Sequence, residues 1–134
     1  MDRRGEDSLE IALHTAHVQP TAVRRRVMRF FQSAADERSD LEAAELIVGE
    51  LLGNVVRHAP GPFRIRAGWT GSEATFVVED SGGGFSLPMP SAPANQETGR
   101  GLRLVLAFAR SLNVQHVAGR GTRIEVGLPL ERGP

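Results

Sequence analysis

Two alternating segments around a four-residue turn limit the fold of this chain more than any other feature. Phe63-Arg-Ile-Arg-Ala-Gly-Trp69 alternates apolar and polar positions, and Ala74-Thr-Phe-Val-Val-Glu-Asp80 returns after Thr70-Gly-Ser-Glu73. A period of two is that of a strand with one buried face, and a turn this short forces the strands antiparallel. The pattern recurs near the end of the chain. Leu112–Val117 and Thr122–Leu128 alternate on either side of Ala118-Gly-Arg-Gly121, which predicts a second hairpin. Ser8 to Thr15 alternates as well, with Leu9, Ile11 and Leu13 on one side and Glu10 and His14 on the other.

Helical spacing fills most of the rest. Pro20 suits a first helical turn, and Val23, Val27, Phe30 and Phe31 continue a helix expected to stop near Ala35. Ser39 or Asp40 caps a second helix, with Glu42 in its first turn and Leu41, Ala44, Val48, Leu51, Leu52 and Val55 as its apolar stripe. Ala59-Pro-Gly-Pro62 ends that helix after His58. Leu102, Val105, Leu106 and Ala109 mark a third helix. The order is therefore strand, two helices, hairpin, long loop, helix, hairpin. It predicts an α+β fold, a two-layer sandwich with a mostly antiparallel mixed sheet and helices on one face. Without an internal repeat or linker, residues 1–134 read as a single domain with a core from about 8 to 129.

Composition removes several kinds of chemistry. The formal net charge is zero, so the basic footprint of a nucleic-acid binder is missing. All sixteen basic residues are Arg, which excludes a P-loop because that motif needs a Lys on the phosphates. With no Cys there is no disulfide, thiol nucleophile or Cys-ligated metal. No apolar run approaches a membrane span, and a cytoplasmic location is expected. His14 and His17 have no third ligand in view and read as surface histidines. Arg24, Arg25, Arg26 and Arg29 form either a solvated face or a docking surface for an acidic protein.

The residues that could carry chemistry lie in four places. Glu50, Asn54 and His58 stand four apart on the second helix, which aligns them along one stripe. Alone, such a row usually marks a solvated face. Asp80-Ser-Gly82-Gly83-Gly84 follows directly on a strand, where three glycines permit a turn and a close approach of ligand to backbone. Residues 86–98, with three prolines, read as a loop long enough to serve as a lid. Gly99-Arg-Gly101 opens the third helix, where free N–H groups and the helix dipole favour an anion. Gly121-Thr122 opens the last strand.

In this order the four motifs resemble the ATP-binding domain of the GHKL superfamily, over residues 8 to 129. The short chain and its strand–helix–helix beginning are similar to bacterial anti-sigma-factor serine/threonine kinases. The resemblance implies ATP and Mg²⁺ as cofactors. It implies that Asn54 ligates the metal through its carbonyl oxygen and that Asp80 accepts a hydrogen bond from the adenine amino group. Gly82 and Gly84 would pass close to the nucleotide. Gly99, Arg100, Gly101 and Leu102 would form the helix start that binds phosphate; Arg100 and Arg103 would either neutralise charge there or face solvent, with Arg100 the better candidate. Thr122 would reach adenine through water, and Glu50 would be the general base. For His58 a packing or capping role is the better expectation. The activity so implied is phosphorylation of a Ser or Thr on a small antagonist protein, together with sequestration of a sigma factor or similar target, possible as a homodimer. The competing reading is a non-catalytic ATP-binding partner-switch module, and the presence of Glu50 favours the kinase.

Overall fold

The computed structural model describes residues 7–58, 61–80, 97–117 and 121–134. Five strands and three helices follow in the order β1 (Ser8–His14), α1 (Pro20–Gln32), α2 (Leu41–His58), β2 (Pro62–Thr70), β3 (Glu73–Asp80), α3 (Glu97–Phe108), β4 (Ser111–Val117) and β5 (Gly121–Leu128). The strands lie in the order β1-β2-β3-β5-β4. All four pairings among the described strands are antiparallel, so the expected α+β sandwich forms without a parallel pair. The last strand thus enters between β3 and β4, which makes β3 and β5 neighbours although they lie far apart in sequence.

Alternation decides which face is buried. Phe63, Ile65, Ala67 and Trp69 of β2, Ala74, Phe76 and Val78 of β3, and Ile124, Val126 and Leu128 of β5 all point into one core. Helices α1 and α2 cover this face with Val27, Phe31, Ile47, Val48, Leu51, Leu52 and Val55. Phe31 sets its ring edge-on to Trp69, with centroids 5.5 Å apart and planes at 82°. Both rings are buried, so truncating Phe31 to Ala would cost about 3–5 kcal/mol through lost contact and the cavity left behind. The opposite face carries Arg64, Arg66, Glu79, Arg123 and Glu125, at least partly exposed.

The boundaries show which local signals prevailed. The first helix ends at Gln32, three residues before the expected stop. Asp40, not Ser39, caps α2: the Ala43 N–H donates to Asp40 Oδ1 at 3.0 Å. Ser39 instead accepts from the Glu131 N–H at 2.8 Å and donates to the Glu131 carbonyl at 3.1 Å. The Asp36 N–H donates to the same carbonyl, and the Asp40 N–H to that of Pro129. The tail after β5 therefore holds the α1–α2 connection, and with it the start of the helix that carries Glu50 and Asn54. At the other end, Thr15 and Gly61 exchange two hydrogen bonds that tie β1 to the entry of β2.

Two expected stripe residues are exposed. Leu41, the first residue of α2, remains 36% exposed, and Leu106 of α3 45% exposed. Among the described side chains of α3, Val105 is buried. That helix begins at Glu97, so residues 97 and 98 are helical and not part of the preceding loop. The rest of the expected lid lies outside the described residues.

Candidate functional site

Among the described residues, three buried side chains are polar or charged: Asn54, Asp80 and Thr122, each at most 3% exposed. Their positions follow from the pattern of each element. Asp80 is the last residue of β3 and continues the inward set Ala74, Phe76, Val78. Thr122 begins the inward set Ile124, Val126, Leu128 of β5. The pairing Glu79↔Arg123 sets Asp80 and Thr122 beside one another at the next step, both facing the helices. Asn54 comes from α2, which packs against β3. Burying an amide, a carboxyl and a hydroxyl in an otherwise apolar layer is unfavourable unless each meets a polar group. Their concentration on the helix-facing side of the sheet is therefore a property that demands a polar occupant or polar neighbours.

Two such neighbours are present. Arg57 donates through Nη2 to Asn54 Oδ1 at 3.1 Å. His116, opposite Thr122 in the β4–β5 register, sets Nδ1 3.1 Å from Thr122 Oγ1. Neither residue stood out as a site candidate in the sequence. Arg57 is three residues after Asn54 on one helix face, and His116 continues the Leu112, Val114 alternation toward Thr122. Both signals were available but rely on knowing that Asn54 and Thr122 are buried.

Glycine is required at the junction of β3 and β5. Gly121 has φ +96°, and a Cβ there would overlap the Asp80 carbonyl oxygen and lie 3.3 Å from Asp80 Oδ2. The backbone of Gly121 thus occupies the space beside the buried carboxyl, which no residue with a side chain could share.

The remaining candidates are placed as follows. Glu50 is half-buried one turn before Asn54. Asn54 was expected to sit apart from the apolar stripe, but it is 2% exposed and faces the core side of α2. Gly99, Arg100, Gly101 and Leu102 fall within α3, two or more residues after its start at Glu97, not ahead of the helix. Gly82 and Gly84 lie outside the described residues, as does the side chain of His58. His14 and His17 have rings 5.6 Å apart at the exposed end of β1, and no group of three or more His, Cys, Asp or Glu among the described residues could hold a metal. A recess of about 270 Å³ reaches Asp80 beside Leu13, Pro62 and Phe63. A larger one of about 510 Å³, bounded by Asp7, Arg66 and Arg123, lacks every candidate residue.

The sequence model of the histidine kinase-like ATPase domain matches residues 12–127. The chain belongs to this family. The GHKL expectation therefore holds over nearly the whole chain. Among solved structures, this ATPase domain is similar to the RsbU and RsbW domains of Rv1364c from Mycobacterium tuberculosis. The TM-score is 0.67 at 20% identity, covering 94% of this chain and 33% of that one. It is also similar to the histidine kinase domain of the blue-light activated kinase EL346 from Erythrobacter litoralis, with TM-score 0.52 at 19% identity, covering 86% and 76%. At these identities the likeness is one of fold. The chain spans about a third of the length of the first of these proteins. No curated protein matches it in sequence. No described helix is long and apolar enough to cross a membrane.

Mg²⁺ accompanies ATP in this family, and the residues present are compatible with it. Asn54 Oδ1 is a neutral oxygen already facing a cation, the Arg57 guanidinium. One amide oxygen suits Mg²⁺, which takes its other ligands from water and phosphate.

Proposed function

We propose that this chain binds Mg-ATP and is a protein serine/threonine kinase of the anti-sigma-factor type. It would transfer the γ-phosphoryl group to a hydroxyl on a small antagonist protein and sequester a regulatory partner. The observation that carries this reading is the burial of Asn54, Asp80 and Thr122 on the helix-facing side of one sheet, with Glu50 one turn from Asn54. Family membership supports ATP as the ligand, and the fold shared with the RsbU–RsbW protein is in keeping with a partner-switching role.

Each group has a task in this reading. Asp80 accepts a hydrogen bond from the adenine amino group, and Thr122 reaches the ring edge through a water. The free backbone N–H groups at the start of α3, as far as Gly99, would face the phosphates, with Arg100, Gly101 and Leu102 just behind them. Gly82 and Gly84 pass close to the nucleotide. Asn54 holds Mg²⁺, which when bound neutralises charge on the phosphate oxygens. Glu50 takes the proton of the incoming Ser or Thr hydroxyl as its oxygen bonds to γ-phosphorus and the bond to the ADP oxygen breaks. Positioning and charge stabilisation do most of the work in such transfers.

The test incubates the protein with γ-labelled ATP and candidate partner proteins encoded near it. Label on a partner Ser or Thr is the expected result. Tight ATP binding with no label on any partner, and partner binding that still depends on ATP, would instead identify a non-catalytic switch module.

A further inference from the structure

We propose that the open face of the sheet is a self-association surface, on which a second copy of this chain packs face to face about a two-fold axis running along β3. The inference is independent of the nucleotide reading, because Asp80 and Thr122 face the helices on the other side. All three helices send buried residues to that inner side, α3 through Val105, so no described helix covers the outer one.

Strand register arranges the outer face in rows that cross the sheet. From β1 to β4, one row reads Ser8, Gly68, Thr75, Gly127, Ser111. The next reads Glu10, Arg66, Val77, Glu125, Asn113. No side chain in the first row is larger than threonine, so it forms a shallow trough across all five strands. Val77, in the middle of the second row, is 6% exposed yet lies outside the core cluster. It is an apolar residue at the centre of a polar face. A recess of about 510 Å³ joins trough and row, with Gly68, Thr75, Val77, Arg66 and Glu125 in its lining.

These two rows are complementary to themselves. Half a turn about β3 lays β2 over β5 of the second copy and β1 over β4, with each row over itself. Gly68 then meets Gly127, Ser8 meets Ser111, and Thr75 and Val77 each meet their own copy. Arg66 meets Glu125, once on each side of the axis, as a two-fold interface requires. The glycines let the backbones approach, Val77 loses its remaining contact with water, and the paired charges fix the register. Glu125 already holds Arg123 at 3.0 Å within its own chain, so Arg66 of the second copy adds another cation to that pair. Stacked sheets pack about 10 Å apart with strands within about 30° of one another, which an axis along β3 allows.

The third row limits the contact. There Arg64, Glu79 and Arg123 stand side by side. The same rotation lays Arg64 over Arg123 and Glu79 over its own copy, so close packing is confined to the first two rows. A seat of that size supports a weak, concentration-dependent dimer. The charges of the whole face, Glu10, Glu79 and Glu125 against Arg64, Arg66 and Arg123, cancel. A strongly charged partner finds no net attraction here, whereas a second copy meets the same pattern in opposite phase.

Sedimentation equilibrium of the full chain over a range of concentrations tests this. The wild type should dimerise reversibly, and less so at high salt. Arg66→Glu and Glu125→Arg should each weaken the dimer by roughly tenfold or more, because each sets like charges opposite one another at two places. An equimolar mixture of these two variants should associate again as a heterodimer, and the double variant Arg66→Glu/Glu125→Arg should recover most of the wild-type affinity. Loss of folding could produce neither recovery. Thr75→Arg, which fills the trough at the axis, should give a monomer with the wild-type circular dichroism spectrum. A wild type that stays monomeric at every concentration overturns the proposal. So does a dimer that persists in both single reversals, which would place association at a strand edge or on the helices. Single variants that lose the dimer and do not recover it when mixed overturn it as well.

Discussion

Arg57 Nη2 and Asn54 Oδ1 lie 3.1 Å apart, so the amide oxygen proposed for a metal is occupied by a guanidinium in the free protein. A Cβ at Gly53 would lie 3.1 Å from Arg57 Nη1, a tight contact that the flexible arginine relieves with a shift of a few tenths of an ångström. On the proposed reading, Mg²⁺ would approach the same oxygen that now accepts from the guanidinium.

Asn54→Ala is expected to abolish the tightening of ATP binding by Mg²⁺. The stability cost should be about 1 kcal/mol, because Arg57 is exposed and regains water as its partner. ATP titrations with and without Mg²⁺ check this. If their difference remains that of the wild type, Asn54 is not the ligand.

Gly121→Ala should destabilise the protein by at least about 1–3 kcal/mol. The residue would have to keep a left-handed backbone and push its methyl into the Asp80 carbonyl. Urea unfolding measures the loss. A substitution at Gly71, which also has positive φ but open space around it, should cost less and serves as the comparison.

Asp80→Asn should weaken ADP binding by about 1–3 kcal/mol, the worth of a hydrogen bond to a charged acceptor. The new amide also turns a donor toward the adenine amino group. Unaltered ADP affinity by calorimetry would remove Asp80 from the adenine pocket.

Glu50→Gln should bind Mg-ATP with nearly wild-type affinity while phosphoryl transfer slows by roughly 10²–10⁴-fold. A base acting on the incoming hydroxyl is felt in the transition state and hardly in the bound nucleotide. Single-turnover assays beside binding titrations separate the two. Equal turnover in mutant and wild type would sink the catalytic role.

Asp40→Ala should lower stability by about 0.5–2 kcal/mol through loss of the α2 cap. Ser39→Ala, by contrast, breaks the link to Glu131 and loosens the tail. Thermal melts of both variants, and of the pair, show whether the two contributions add.

Much of the architecture was legible because the sheet has one wet face. Alternation in β2, β3 and β5 names the inward residues directly, and Asp80 and Thr122 fall in phase with them. The face of α2 was harder. Glu50 and Asn54 share a helical stripe, yet Glu50 is half-buried and Asn54 fully so. Spacing gives the stripe but not how deeply each position on it is covered. Ser39 could not be told from Asp40 as the cap because its partner, Glu131, lies 92 residues away. Arg57 and His116 were missed because their importance derives from the groups they touch.

The insertion of β5 between β3 and β4 also dictates when the protein can work during its own synthesis. Asp80 and the β2–β3 hairpin leave the ribosome early, but Thr122 and Gly121 belong to the last strand. β4, made just before it, has no sheet partner other than β5 among the described strands. Until residues 121–128 have emerged and paired, a nascent chain has only part of the buried polar group Asn54, Asp80 and Thr122, and an open strand edge beside it. That edge is the kind that pairs with other chains. Binding at the proposed site would thus wait for β5, and non-local closures of this kind are generally the slow, aggregation-exposed stages of folding.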